Sequence, residues 1–379
     1  MNFAFTDEQN ELRKSARRFL ATESSSEKVR AAMTTELGYD PEVWSKIATE
    51  LGWVALVIPE EYDGLGLGPV DLVPLLEEMG RHLYCGPFFS TVCLGVATLL
   101  EAGTEEQKKQ YLPSIAAGEL TATLAFTEAN GRWDSSAIEA TATKDGSDYV
   151  LSGTKRYVLD GHTAGLVLVA ARTPGSKGDE GVSVFALAGD TPGLSRTMLP
   201  TIDTTRRQAE LVLDGVRIPA SARLGEEGAA WKSLRLVLDR AAAALAAEQV
   251  GGAEACLDLA VEYAKVRKQF GRPIGSFQAI QHMAANMLLL VESARSAAYY
   301  ANAVAAIGGP ELAEAAALAK AYCSDAYFQC AAESIQIHGG IGFTWEHDAP
   351  LFFKRAKSSE TLLGDATHHR EIVAREIGL

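Results

Sequence analysis

Two glycine-punctuated stretches carry the residue types that hold phosphate. The first, "RKQFGRPIGSFQ" (267–278), sets Arg267, Lys268 and Arg272 among two glycines and a proline. Arg267 can grip a phosphate through two parallel N–H groups, and Gly271 and Gly275 let a backbone approach closely. Phe270 and Gln278 offer a stacking face and an amide. The plainer reading is a connector between antiparallel helices, with cations capping the first helix's C-terminus. The second stretch, "QIHGGIGFTWEHD" (336–348), places Gly339, Gly340 and Gly342 just after Gln336 and His338. Such a cluster is either a left-handed helix cap or a nest of backbone N–H groups around a diphosphate. No βαβ pattern surrounds it, so it is not a dinucleotide-binding Rossmann fingerprint. His338, His347 and the pair His368–His369 have no carboxylate or cysteine at ligand spacing, and no metal is expected.

Local cations matter in a chain this acidic. Its 379 residues carry a formal net charge of −14, which argues against nucleic acid as a partner. Hydrophobic content of 47% with 22% charged residues suits a chain that buries a sizeable core. Five dispersed cysteines (Cys85, Cys93, Cys256, Cys323, Cys330) form no CxxC pair and point to reduced thiols. The start, "MNFAFTDEQNELRKSARRF", lacks the apolar core of a signal peptide, and no apolar run is long enough to span a bilayer. A cytoplasmic protein is expected.

The elements that must position the two stretches are legible as three blocks. Residues 1–120 read as helices: Thr6 with Gln9 spells a capping box, and "GTEEQKKQYLPSIAAGEL" spells a second capped helix that Pro113 should stop. Residues 121–225 alternate short β-rich runs with turns such as "KDGSD" and "TPGSKGDEG", which predicts an antiparallel sheet or small barrel. From residue 226 helical periodicity returns and continues to 379. The fold class is α+β, with helical domains flanking a middle antiparallel β domain. Small residues along "AAAALAAEQVGGAEA" leave two options, space for a bulky ligand or close helix packing.

In register over the whole chain, "IPEEYDGLGLG", "TEANG", "SGTKRYVLDG", "RKQFGRPIGSFQ" and "QIHGGIGFTWEHD" resemble the acyl-CoA dehydrogenase family. The resemblance implies a C-terminal four-helix bundle, a homotetramer or dimer, and FAD lying across a subunit interface. It implies that Arg267, Phe270, Gln278, Gln336, Gly339 and Gly340 hold the diphosphate and adenosine of a neighbour's flavin. Phe126, Thr127 and Glu128, with Tyr157, Val158 and Leu159, would line the flavin ring. Two departures stand out. "TEANGRWDS" lacks the family's proline and Gly-Ser pair, and Leu159 stands where a hydroxyl usually meets flavin N5. The implied activity is α,β-dehydrogenation of an acyl-CoA thioester, with an electron-transfer flavoprotein as acceptor.

That chemistry needs a carboxylate in a dry pocket to take the α-proton. In the family it commonly lies in a Tyr-Glu-Gly turn, which here reads Leu362-Leu363-Gly364. A second family location, on the long helix before the arginine loop, counts to about Ala241. Two candidates remain. Glu248 has Ala244, Leu245, Gly251 and Gly252 as helical neighbours, which predicts a desolvated acid or one paired with an Arg such as Arg240. Asp365, near Glu360, could swing into the pocket or could cap the helix "ATHHREIVARE". The missing glutamate also fits a catalytically silent, flavin-completing subunit of a heteromer. An oxidase or monooxygenase on the same fold is a third possibility.

Overall fold

A computed structural model describes residues 5–379; of the start read as free of a leader, residues 1–4 lie outside it. Before residue 120 the helices are α1 (Asp7–Glu23), α2 (Ser26–Thr34), α3 (Pro41–Ser45), α4 (Pro69–Arg81), α5 (Ala97–Ala102) and α6 (Glu105–Ala116). After residue 230 come α7 (Trp231–Val266), α8 (Gln278–Ile307), α9 (Leu312–His338), α10 (Ala349–Thr361) and α11 (Ala366–Glu376). Between them lie strands β1 (Ala122–Ala125), β2 (Thr141–Asp145), β3 (Asp148–Leu159), β4 (Leu166–Arg172), β5 (Val182–Ala188), β6 (Leu194–Met198), β7 (Gln208–Pro219) and β8 (Arg223–Leu224).

Both capping boxes form as their spacing predicts. Thr6 and Gln9 exchange hydrogen bonds at the start of α1, and Thr104 and Gln107 do so at the start of α6. Pro113 does not stop α6, which runs on to Ala116 and ends at Gly118 with φ +75°. A proline removes a donor but keeps its acceptor, and the Pro113 carbonyl still receives Ala117 N–H at 3.0 Å.

The chain packs as two units. Residues 5–34, 69–85 and 242–379 form a helical unit; residues 35–68 and 86–241 form a unit built on the sheet. In the sheet unit the strand order is β6-β7-β3-β2-β4-β5-β8, with β1 added on β4. Most neighbours are antiparallel, but β1 runs parallel to β4, and β2 meets β4 in parallel through Thr141 and Arg172. The expected all-antiparallel sheet is therefore mixed. Hairpins force antiparallel pairing only between strands they join, and β1 reaches β4 after β2 and β3 have intervened. Every residue of β4 is buried, and Val167, Val169, Ala171, Phe185 and Leu211 form part of its core.

In the helical unit, Cys256, Ala260, Met287, Val291, Cys330 and Ala356 belong to one apolar cluster. The small residues of α7 serve close helix packing. A Cβ on Gly251 would lie 1.8 Å from the Glu77 carbonyl oxygen, and one on Gly80 would lie 1.9 Å from that of Glu248. Helices α4 and α7 thus touch backbone to backbone, which only glycine permits. All five cysteines are buried thiols outside any disulfide. No described helix is long and apolar enough to cross a membrane.

Candidate active site and flavin cradle

The helix-breaking loop after α7 is a tight hairpin. Lys268–Gln269 pairs with Arg272–Pro273 around Phe270 and Gly271, whose φ values are +53° and +79°. Positive φ at both central residues is the two-residue turn that suits the twist of a hairpin. Ile274 N–H closes it on the Arg267 carbonyl at 2.8 Å. The turn thrusts Phe270 outward at 92% exposure, its ring edge-on to Phe277, while Arg272 stacks over Phe277 at 4.2 Å. Gln278 opens α8 on the same exposed surface.

Helix α9 ends in the second stretch. Gly339 has φ +63° and its N–H caps the helix on the Gln336 and Ile335 carbonyls. A Cβ on Gly339 or Gly340 would meet nothing within 4 Å, whereas one on Gly342 would press to 2.8 Å from the Ile335 carbonyl. The glycine loop is therefore open on one side and packed on the other. Tyr263 stacks on His338 at 4.5 Å, which brings the end of α7 beside the end of α9 and sets the two stretches next to each other. Arg30 of α2 fixes the segment beyond, donating to the Trp345 and His347 carbonyls at 2.6 and 2.9 Å.

Among the described residues, the side chains of Arg267, Gln278 and Gln336 make no hydrogen bond or ion pair within the chain. An exposed guanidinium, two spare amides and an open glycine backbone fit a diphosphate and a purine. Both stretches thus show a helix cap and a place for an anion at once. His347 lines the same loop, and burial holds it below the usual imidazole range. Among the described residues no group of three or more His, Cys, Asp or Glu could hold a metal.

The ring-facing candidates lie in the sheet unit. A register shift between Lys155 and Val158 makes a bulge in β3, with Tyr157 at φ +60° and 39% exposed. Bulges re-aim a side chain, and this one turns the tyrosine out of the sheet. Thr127 and Arg156 bridge the bulge to the strand's neighbour: Thr127 Oγ1 donates to the Arg156 carbonyl at 2.6 Å, and Arg156 N–H returns to Thr127 O at 2.9 Å. Phe126 lies between Trp133, stacked at 5.7 Å, and Trp231 of α7 at 6.1 Å. Behind them, Lys155 Nζ donates to the Phe126 carbonyl at 3.0 Å and to Glu128 at 2.7 Å. Glu128 also accepts the N–H groups of Glu139 and Ala140. Glu128 therefore anchors the segment from within and does not line a ring. Burial pulls the Lys155 ammonium down to about 8 against the pull of that carboxylate. Val158 and Leu159 are both buried, and the Leu159 carbonyl accepts Thr123 Oγ1 at 2.6 Å.

The structure gives both candidate bases other work. Glu248 is buried, and its Oε1 receives Arg355 Nη1 at 3.2 Å; Arg355 also donates to the Tyr84 carbonyl at 3.2 Å. The buried guanidinium thus holds one oxygen of this carboxylate as a structural ion pair. Arg240, the partner suggested by proximity in sequence, pairs with Glu101 instead. Asp365 caps α11, accepting His368 N–H at 2.8 Å. In the turn before it, Leu363 is buried with φ +62°, and Gly364 has φ +99°. Two acids were not singled out in the sequence. Asp239 lies on α7 two turns after Trp231, half-buried, in a long ion pair of 3.9 Å with the exposed Arg235 one turn before it. Glu77 is buried between Arg13 and Arg295, and burial raises its carboxyl. Asp239 was detectable as the nearest acid to the helix position counted at Ala241.

This chain belongs to the acyl-CoA dehydrogenase family. Models of the family's N-terminal, middle and C-terminal domains match residues 6–119, 123–216 and 228–378. It is 34% identical over 359 residues to acyl-CoA dehydrogenase IpdE2 of Mycolicibacterium smegmatis, covering 95% of each chain. Butyryl-CoA dehydrogenase from Megasphaera elsdenii superposes with a TM-score of 0.92 at 30% identity, over the full length of both chains. A chain of the ChsE4–ChsE5 complex from Mycobacterium tuberculosis does so at 0.89 and 28% identity, covering 100% of this chain and 99% of that one. The protein is an FAD-dependent oxidoreductase of acyl-CoA thioesters, with the family's helical, β and helical domains in order.

Proposed function

We propose that this chain holds FAD in two parts and dehydrogenates an acyl-CoA with Asp239 as the α-proton acceptor. The three domains are read as 1–120, 121–225 and 226–379. Arg267, Phe270, Gln278, Gln336, Gly339 and Gly340 hold the diphosphate and adenosine of a neighbouring subunit's flavin. Phe126 and Thr127, just after β1, and Tyr157, Val158 and Leu159 at the end of β3 lie beside the ring, with the exposed Tyr157 at its surface. When bound, the flavin supplies the acceptor for the β-hydride. The chain's own tasks are to bind, to exclude water and to take the proton.

One observation carries the assignment of Asp239. Trp231, at the start of α7, packs on Phe126 of the flavin-facing segment, so the carboxylate two turns along the same helix belongs to that side of the molecule. Glu248 is fixed by Arg355, Asp365 caps α11, and Leu363 has no oxygen to offer. A base on a helix is also well placed, because helices hold side chains more rigidly than turns. Asp239→Asn in the flavin-loaded protein should slow flavin bleaching by acyl-CoA about 10²–10⁴-fold, with the oxidised spectrum unchanged. Bleaching at the wild-type rate would exclude Asp239.

A heteromeric reading is favoured by Leu363 and by the likeness to a chain of a two-protein complex. In it, a second family chain supplies the base while this chain lends its cradle. Copurification of a second chain, needed for bleaching, would select it over the homotetramer. The cytoplasm and an electron-transfer flavoprotein as acceptor complete the proposal.

A further inference from the structure

The glycine loop at the end of α9 is closed by one side chain that reaches both of its ends. His338, the last residue of α9, is buried, and its ring lies 4.5 Å from that of Tyr263 of α7 and 4.3 Å from that of His347. His347 stands just before α10, and its Nδ1 accepts the Ala349 N–H at 3.1 Å. Ala349 is buried and is the first residue of that helix. The first turn of a helix leaves its N–H groups without helical partners. Here Pro350 has none to place, and the Leu351 and Phe352 N–H groups turn back to the Asp348 carbonyl at 2.9 and 3.3 Å. The imidazole thus caps the buried donor that opens α10. Asp348, of a type well suited to capping, makes no side-chain cap. Its Oδ1 instead receives Ser26 Oγ at 2.5 Å and Arg30 Nη2 at 2.8 Å, both from α2.

These partners settle both tautomers. A backbone N–H can only donate, so His347 Nδ1 is a bare acceptor and the ring's proton sits on Nε2. The Ser334 carbonyl, 2.6 Å from His338 Nδ1, can only accept, so that nitrogen carries a proton. A proton added to His338 therefore goes to Nε2 and leaves its bond intact. A proton added to His347 goes to Nδ1 and sets a donor against the Ala349 N–H. It also puts a cation at a helix N-terminus, where the dipole disfavours one.

We propose that His347 is an acid-sensitive latch and a positioning residue for the glycine loop. Its neutral ring ties the end of α9 to the start of α10 and so holds Gly339 and Gly340 in shape for a diphosphate. The task toward the diphosphate rests on the proposed function; the latch rests on the cap and the ring contacts.

Facing His347 are His338 from α9, Arg30 from α2 and the adjacent Asp348, with Tyr263 of α7 behind His338. Burial lowers the imidazole from its ordinary 6.5; His338 presses the same way, Asp348 opposes, and Arg30 adds to the lowering. Above pH 6.5 the ring is neutral whether the loop is closed or open. Below it the opened ring takes up a proton that the closed one resists, so the closed loop weakens as pH falls.

Hydrogen exchange of the full chain, read on peptides spanning 339–351 and corrected for the intrinsic rate, tests the latch between about pH 5.5 and 7.5. Wild-type protection should fall several-fold on acidification. His347→Leu should lose about tenfold already at the upper pH, since a buried N–H loses its acceptor. His347→Asn keeps an acceptor that reaches two residues on and does not titrate, so it should retain most of the protection without the slope. Wild-type protection that is flat with pH, or a slope that survives in His347→Asn, would overturn the latch. A flavin fluorescence titration over the same range reads the positioning role. The FAD dissociation constant of the wild type should rise about 3–10-fold on acidification relative to that of His347→Asn. A flat ratio beside the expected exchange would overturn that role. So would a wild-type affinity that rises with acid, which would mark an imidazolium touching the phosphates directly. A chain that takes up no FAD at any pH would instead count against the proposed function, and exchange would decide the latch alone.

Discussion

The two ends of the C-terminal segment are built on opposite plans. The 267–278 hairpin and the 336–340 loop present Arg267, Gln278 and Gln336 without a side-chain partner among the described residues, beside Gly271, Gly339 and Gly340, whose missing Cβ faces open space. The 360–365 turn presents nothing: its carbonyls are taken by Lys320 and His369, its aspartate caps a helix, and its glycine is packed against His368. The difference separates residues that wait for a ligand from residues that hold a shape. Spare hydrogen-bonding capacity at the surface costs little, because water satisfies it until a ligand arrives. Buried capacity must be satisfied inside the fold, and a carboxylate so satisfied is poorly placed to accept a substrate proton.

The contrast breaks most sharply at Glu248. Arg355→Met leaves a buried carboxylate without its guanidinium and should cost about 3–5 kcal/mol in denaturant unfolding. Arg267→Met, on the exposed hairpin, should change the unfolding of the flavin-free chain by less than about 0.5 kcal/mol. Its effect belongs to the ligand: the dissociation constant for FAD should rise about 10–100-fold in a flavin fluorescence titration, the loss of one charge-assisted contact. A destabilising Arg267→Met, or an unaffected FAD affinity, would erase the distinction. The glycines divide in the same way. Gly339→Ala and Gly364→Ala both place a side chain on a positive-φ backbone, at φ +63° and +99°, at about 1–3 kcal/mol. Gly364→Ala also meets the His368 ring and should lose a further 1–3 kcal/mol or so in the same unfolding assay.

Much of this was legible in the sequence because it is local. The capping boxes at Thr6 and Thr104 need only residues three apart, and the strands announce themselves by alternating patterns between turns. Both glycine stretches are contiguous, so the turn at Phe270–Gly271 and the helix cap at Gly339 could be read from spacing alone, while a flavin cradle is what the family resemblance implies. The turn without an acid could likewise be read from Leu362-Leu363-Gly364. Pairings across the fold could not. Glu248 finds Arg355 at a separation of 107 residues, and Lys320 finds the Glu360 and Gly364 carbonyls at 40 and 44. Backbone carbonyls leave no trace in a sequence, so nothing marked Lys320 as more than a helix residue. The parallel placement of β1 on β4 escaped for the same reason, as it depends on a chain path and not on a local pattern.

The most direct test of the central claim is an anaerobic visible titration of the purified protein with a panel of acyl-CoA thioesters, run beside Asp239→Asn. Bound oxidised flavin that bleaches with one thioester in the wild type, and persists unbleached in Asp239→Asn, is the predicted result. A protein that remains colourless after addition of FAD, or a variant that bleaches as fast as the wild type, would contradict it.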